Sequence, residues 1–212
     1  VYSYSGYQSI PFVTGNGFRI YNHNRSKGTQ SNLTLYPFYY AGEKPNLERG
    51  TVSFYAQATG DWRGKGDDTY TSANVYFYLS SDTYVRIYGA AKADYTSVYL
   101  YYNNQLVRTT VLNSKTARPH IVLQWDFKDY GDIYFNRGPN LRLYVNRIQE
   151  AVVTSNNLQS DRDEVNTSAN TMRFFLVAKT DNGGDYRTEG VYSVIDHIQM
   201  WDGVVFNEVG VW

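Results

Sequence analysis

Along most of the chain, apolar and polar residues alternate one for one. TVSFYA at 51–56 does so, as do NVYFYL at 74–79 and YVRIY at 84–88. A period of two sends successive side chains to opposite faces of a strand. SVYLYY at 97–102 runs into Asn103 and Asn104 and is followed by QLVRTTVL at 105–112. Two alternating runs separated by two asparagines predict a β-hairpin, because asparagine tolerates the left-handed backbone of a tight turn. Further strands are predicted at 121–125, 141–145, 172–178 and 192–201. Strict alternation in the last of these sets His197 on the face opposite Asp196.

No segment carries a helical period, and LQSDRDE at 158–164 offers one short turn at most. Ten or more strands with turn signals about every 8–12 residues form the pattern of a sandwich or barrel. There is no internal repeat and no low-complexity linker. The expected fold is all-β: two antiparallel sheets packed face to face with jelly-roll connections. At 212 residues a single domain covering 1–212 is expected.

Charge narrows the partners. Lys plus Arg and Asp plus Glu are both 20, so the formal net charge is zero. Without a basic run the chain lacks the footprint of a nucleic-acid binder and the clusters that hold proteins to anionic membranes. No stretch approaches the roughly 20 apolar residues of a membrane helix, so membrane insertion is not expected. The absence of cysteine excludes thiol chemistry and Cys-ligated zinc. Tyrosine is abundant at 22 residues and suits pleated surfaces, where the ring packs and the hydroxyl stays wet. This composition reads as extracellular or particle-surface. The chain begins at Val1, with no leader visible, and reads as a processed or excised piece.

Four segments resemble a known family. PHIVLQWD at 119–126 looks like the strand "W-H-H-V-A-L-T-W-D" of laminin-G-like domains, and LRLYVN at 141–146 looks like its partner "L-R-L-Y-V-D-G". ERGTVSFY at 48–55 resembles the early strand "G-T-V-x-F-W", and VIDHIQMW at 194–201 resembles the terminal "I-D-D-V-R-I-Y". The four occur in the family's order and span most of the chain. The sequence therefore resembles the laminin-G-like, concanavalin-A-like lectin superfamily. Two features depart from it: a longer connection after Trp125, and Val145-Asn146-Arg147 in place of the tight "V-D-G" turn.

The resemblance implies a concanavalin-A-like sandwich and, in function, a non-catalytic lectin-like carbohydrate-binding domain. Alternation places Ile121, Leu123 and Trp125 on one face, so Trp125 is expected in the core. Glycosidases of this fold carry E-x-D-x-x-E on one strand, which sets acid and nucleophile on one face. That motif is absent, and Asp161, Asp163 and Glu164 sit in a polar loop. No lyase motif surrounds His23, His120 or His197. A polysaccharide-degrading hydrolase or lyase is thus the third reading. Members of the fold also hold a structural calcium through an Asp of the final strand, which maps onto Asp196. The alternative is that Asp196 caps its own neighbourhood. Asp181 and Asp185, in the glycine-rich TDNGGDYR at 180–187, are further candidate calcium ligands with oxygen chemistry.

Sugar binding needs an aromatic ring beside hydrogen-bonding side chains. In the loop GDWRGKGDDT at 60–69, Trp62 is flanked by Asp61, Arg63, Asp67 and Asp68, with Tyr70 just beyond. Tyr130 in the loop 128–139 and Tyr186 in the loop 180–187 are additional candidates. The alternative for Trp62 is packing over the sandwich rim. The C-terminal VVFNEVGVW at 204–212 is apolar to its last residue. It is read either as a last strand of the domain or as a self-association segment, which motivates the second reading, a subunit of a virion, tail or filament surface.

Overall fold

The structure is a computed structural model that describes residues 5–12, 15–22, 29–36, 49–61, 72–90, 93–126, 140–154, 172–180 and 190–201. They form thirteen strands: β1 (Ser5–Phe12), β2 (Gly15–Asn22), β3 (Thr29–Leu35), β4 (Arg49–Asp61), β5 (Ser72–Tyr78), β6 (Tyr84–Ala90), β7 (Thr96–Tyr102), β8 (Gln105–Leu112), β9 (His120–Asp126), β10 (Asn140–Val145), β11 (Ile148–Thr154), β12 (Arg173–Thr180) and β13 (Gly190–Trp201). A seven-stranded sheet has the order β1-β2-β13-β4-β9-β10-β11, and a six-stranded sheet has the order β3-β12-β5-β6-β7-β8. All neighbouring strands are antiparallel. The chain crosses repeatedly between the sheets, giving the jelly-roll sandwich that the alternation predicts, of the concanavalin-A-like type that the resemblance implies.

The alternating positions meet between the sheets. Val52, Phe54, Ala56 and Ala58 of β4 and Ile121, Leu123 and Trp125 of β9 face Val75, Phe77, Val85, Ile87, Val98, Leu100, Phe174 and Leu176 of the other sheet, all buried. Phe54, from one sheet, packs on Phe77 and Phe174 of the other, with ring centroids 6.2 and 5.0 Å away. Phe77 and Phe174 are themselves 4.8 Å apart. Trp125 is 2% exposed, as expected of a core residue. The sheets also meet through backbone: a methyl group at Gly89 of β6 would collide with the carbonyl of Ala58 on β4. Ser193 of β13 ties the same end together by donating to the Val177 carbonyl, 2.7 Å away.

Two turns use asparagine as its chemistry suggests. Asn103 and Asn104, at φ of 49° and 57°, close the β7–β8 hairpin predicted from sequence. Asn146 and Arg147, at φ of 51° and 70°, form a second two-residue turn between β10 and β11. The departure from the family's "V-D-G" is thus one of sequence alone, and the connection remains tight.

The alternation expected through 192–201 is interrupted. The register of β13 on β4 shifts between Asp196 and Gln199, and His197 sits there at a φ of 51°. Asp196 pairs with Tyr55 on the outward face of the sheet, and the His197 ring also lies over Tyr55, 6.3 Å between centroids. His197 is therefore on the same side as Asp196, not opposite it, because the bulge resets the pleat.

Candidate functional site

Most of the loop residues singled out in the sequence lie outside the described residues: Trp62, Arg63, Asp67, Asp68, Tyr70, Tyr130, Asp181, Asp185 and Tyr186. So does the segment 204–212. Asp61 is described only as the last residue of β4. Asp196 is described fully. Its Oδ1 accepts the backbone N–H of His197 (2.7 Å), which stabilises the bulge. Among the described residues no group of three His, Asp or Glu side chains converges on it. A calcium ion takes six to eight oxygens, so a site here would have to draw further oxygens, such as backbone carbonyls, to Asp196.

The most organised array of functional groups lies elsewhere, on the outward face of the six-stranded sheet. Because Phe174, Val75, Phe77, Val85, Ile87, Val98 and Leu100 point inward, the residues between them point outward. Register then aligns them into rows. Phe175, Tyr76, Arg86 and Tyr99 stand side by side on β12, β5, β6 and β7. The next row along the strands is Arg173, Tyr78, Tyr84 and Tyr101. Tyr88 on β6 opens a third row, beside Asn74 and Ser97.

These six tyrosines are half-buried, and all but Tyr88 pack on one another. Tyr84 and Tyr101 stack at 4.7 Å with 18° between their planes, and Tyr76 and Tyr78 stack at 5.5 Å with 15°. Tyr78 and Tyr84 are 5.0 Å apart and join the two pairs. Rings stacked face to face turn their edges and hydroxyls outward, so the surface is a palisade of phenols. The cross-strand pairs among them, Tyr78–Tyr84 and Tyr84–Tyr101, each stabilise the sheet by about 0.2–1 kcal/mol. Their hydroxyls are not used by the fold: none of Tyr76, Tyr78, Tyr84, Tyr88, Tyr99 or Tyr101 hydrogen-bonds through its hydroxyl to another described residue.

Two arginines stand within the palisade. The Arg86 guanidinium lies 4.7 Å from the Tyr88 ring centroid, 5.6 Å from Tyr99 and 5.8 Å from Tyr76. Its Nε donates to Asn74 Oδ1 at 2.8 Å. Arg173 lies over Tyr78 at 4.4 Å. Burial raises the pKa of Tyr76, Tyr78, Tyr84 and Tyr88, and Arg86 opposes the rise at each without cancelling it. These four phenols therefore remain protonated donors at neutral pH.

The outward face of the seven-stranded sheet is built differently. Thr51, Ser53, Gln57, Val122, Gln124 and Val194 are no more than 2% exposed. His120 stacks on Tyr55 at 4.6 Å and shares a hydrogen bond between its Nε2 and Ser53 Oγ (2.7 Å). Its backbone N–H donates to Asn146 Oδ1, and its carbonyl accepts the Asn146 N–H. Its Nδ1 is buried with no hydrogen-bond partner among the described residues. Burial first, then the charges of Arg147 and His197, lower its pKa to about 4. His120 is a neutral, packed residue.

Sequence reasoning went to the loops and missed the palisade. The signal was present in the spacing: Tyr76, Tyr78, Tyr84, Arg86, Tyr88, Tyr99 and Tyr101 all occupy the polar positions of alternating strands.

No protein-family model matches this sequence, and no curated protein matches it. Solved structures do show similarity. The botulinum neurotoxin serotype D binding domain aligns at 12% identity and a TM-score of 0.49, over 98% of this chain and 44% of that one. An alginate lyase of Pseudomonas aeruginosa aligns at 10% identity and a TM-score of 0.45, over 87% and 82%. A galectin of Caenorhabditis elegans aligns at 10% identity and a TM-score of 0.30, over 84% and 96%. The chain spans less than half the length of the toxin binding domains, 42% and 44% for types G and D.

Proposed function

We propose that this protein is a lectin-like domain that binds carbohydrate, without cleaving it, on the outward face of its six-stranded sheet. The observation that carries this reading is the palisade: six phenols in three adjoining rows, their hydroxyls without a hydrogen-bond partner among the described residues and flanked by arginine and asparagine. A polyol is recognised by many convergent hydrogen bonds on a preformed surface, and rings locked against one another lose little entropy on binding. The composition of the described strands supports binding over hydrolysis. The described strands of this sheet contain no Asp or Glu with which to build a carboxylate pair. The reading places the protein where polysaccharide is, outside the cell or on a particle surface.

The test is retention of the protein by a polysaccharide and glycan panel, comparing wild type with the pair Tyr84→Phe and Tyr101→Phe. Phenylalanine keeps the stacking and removes the hydroxyls. Retention of wild type with weaker retention of the double variant supports the proposal. Failure of wild type to bind any glycan overturns it. Loss in Trp62→Ala with no change in the tyrosine variant moves the site to the loop at 60–69.

A structural calcium at Asp196 is a separate proposal, checked by melting the protein in calcium and in EDTA. A rise with calcium in wild type, absent in Asp196→Asn, supports it, and identical melts overturn it.

One observation favours assembly as the second reading. The edge strands β8 and β11 carry exposed aliphatics: Leu106 and Val111 at 52%, Val107 at 42%, Ile148 at 63% and Val152 at 44%. Exposed apolar edges are sites of strand addition. Light scattering on wild type and on Leu106→Lys with Ile148→Lys tests it: a strict monomer in both excludes assembly through these edges.

A further inference from the structure

The charge on the palisade points to the class of carbohydrate, an inference that rests on the reading above. In the whole chain acidic and basic residues balance, 20 against 20. They are not evenly placed. The six strands of the palisade sheet contain Arg86, Arg108, Arg173 and Lys179 and no Asp or Glu. The seven-stranded sheet holds Asp61, Asp126, Glu150 and Asp196 beside Arg19, Arg49 and Arg142, so the acids of the described strands lie on that sheet alone. Arg108, at the far edge, is paired with Glu150 across the sandwich at 2.8 Å. Of the cations on the six strands, Arg86, Arg173 and Lys179 alternate with the inward residues and so belong to the outward face.

Arg86 is the centre of this face. It is half-buried, yet no carboxylate among the described residues pairs with it. Its partners are three neutral rings and the side-chain oxygen of Asn74, which takes Nε. A guanidinium has five N–H donors arranged to take two oxygens of one anion side by side. The flanking phenols of Tyr76, Tyr88 and Tyr99 add donors around it. Partly desolvated surroundings strengthen a charge-assisted hydrogen bond relative to water. A neutral sugar would leave that cation without a counter-charge on every cycle of binding.

We propose that the natural ligand is an anionic glycan, in which Arg86 takes the carboxylate of a uronate or the sulfate of a sulfated sugar while the tyrosine hydroxyls bind the neighbouring hydroxyl groups. The two anion sources share this chemistry, and the experiment separates them.

Gel retardation and calorimetry at physiological salt would compare a neutral β-glucan, a polyuronate and a sulfated glucan. The expected result is binding to the polyuronate, the sulfated polymer or both, about tenfold or more tighter than to the neutral one, as a charge-assisted pair predicts. Arg86→Gln is expected to remove that preference by lowering the affinity for the anionic polymers more than that for the neutral one, with Arg86→Lys in between. Binding to the polyuronate alone identifies a carboxylate, and binding to the sulfated polymer alone identifies a sulfate. Equal or tighter binding of the neutral glucan by wild type overturns the inference and leaves the carbohydrate reading standing. Binding of none of the three, alongside an empty glycan panel, overturns both. The wild-type preference across polymers needs no variant, so a misfolded Arg86 substitution does not remove the test. An unchanged preference in folded Arg86→Gln also overturns the role given to Arg86.

Discussion

The two outer faces of the sandwich use similar residue types to opposite ends. On the seven-stranded sheet, Ser53, Gln57, Gln124 and His120 are polar but buried, and Ser53, Gln57 and His120 make hydrogen bonds within the fold. On the six-stranded sheet, Tyr76, Tyr78, Tyr84, Tyr99 and Tyr101 are half-exposed, and the fold uses their rings and leaves their hydroxyls. Polar groups consumed by the structure hold it together, and polar groups left over are available to a ligand. The distinction is one of hydrogen-bond accounting, which sequence alone does not supply.

The largest effect is expected at the core the two faces share. Phe174→Ala removes the ring that joins Phe54 and Phe77 and is expected to cost about 3–5 kcal/mol. Urea unfolding followed by tyrosine fluorescence and by far-UV circular dichroism should then lose both faces in one transition. Separate transitions would show that the faces are independent.

Acid provides the next contrast, through His120 on the seven-stranded face. The unfolded chain takes up a proton at His120 near the usual 6.5, whereas the folded protein refuses it until about 4. Protons therefore favour the unfolded state in that window. The contribution is intact above pH 6.5 and is lost as pH falls toward 4, by about 3 kcal/mol at most. Stability measured across this range should show the slope in wild type and a flatter one in His120→Phe. An identical slope in both would place the acid sensitivity elsewhere.

Ser53→Ala sharpens the comparison. It leaves the buried His120 Nε2 without its partner and is expected to cost about 1–3 kcal/mol without altering ligand binding. The smallest stability effect is expected on the palisade. Tyr84→Phe with Tyr101→Phe keeps the stack and should change unfolding free energy by no more than about 0.5 kcal/mol. A loss as large as that of Ser53→Ala would mean that these hydroxyls serve the fold after all.

Much of the architecture was legible in the sequence because alternation encodes faces. The strands at 51–56, 74–79, 84–88, 97–102 and 105–112 and the Asn103-Asn104 turn appear in the structure as β4 to β8 and their hairpin. Ile148–Thr154 was not singled out, since its IQEAVVT mixes apolar residues without a clean period. The bulge at His197 was not legible either, because it depends on pairing with β4. The palisade was half-legible. Its tyrosines stood at the polar positions of strands, but only register shows that Tyr78, Tyr84 and Tyr101 fall in one row. The loop residues around Trp62 lie outside the described residues, and their role is settled by mutation.

The account turns on the outward face of the six-stranded sheet being the ligand surface. The most direct measurement is the affinity of wild type and of Tyr84→Phe with Tyr101→Phe for one glycan retained by wild type, each variant verified as folded. The account predicts a drop of about tenfold with unchanged thermal stability, as loss of two neutral hydrogen bonds implies. An unchanged affinity in the double variant would contradict it.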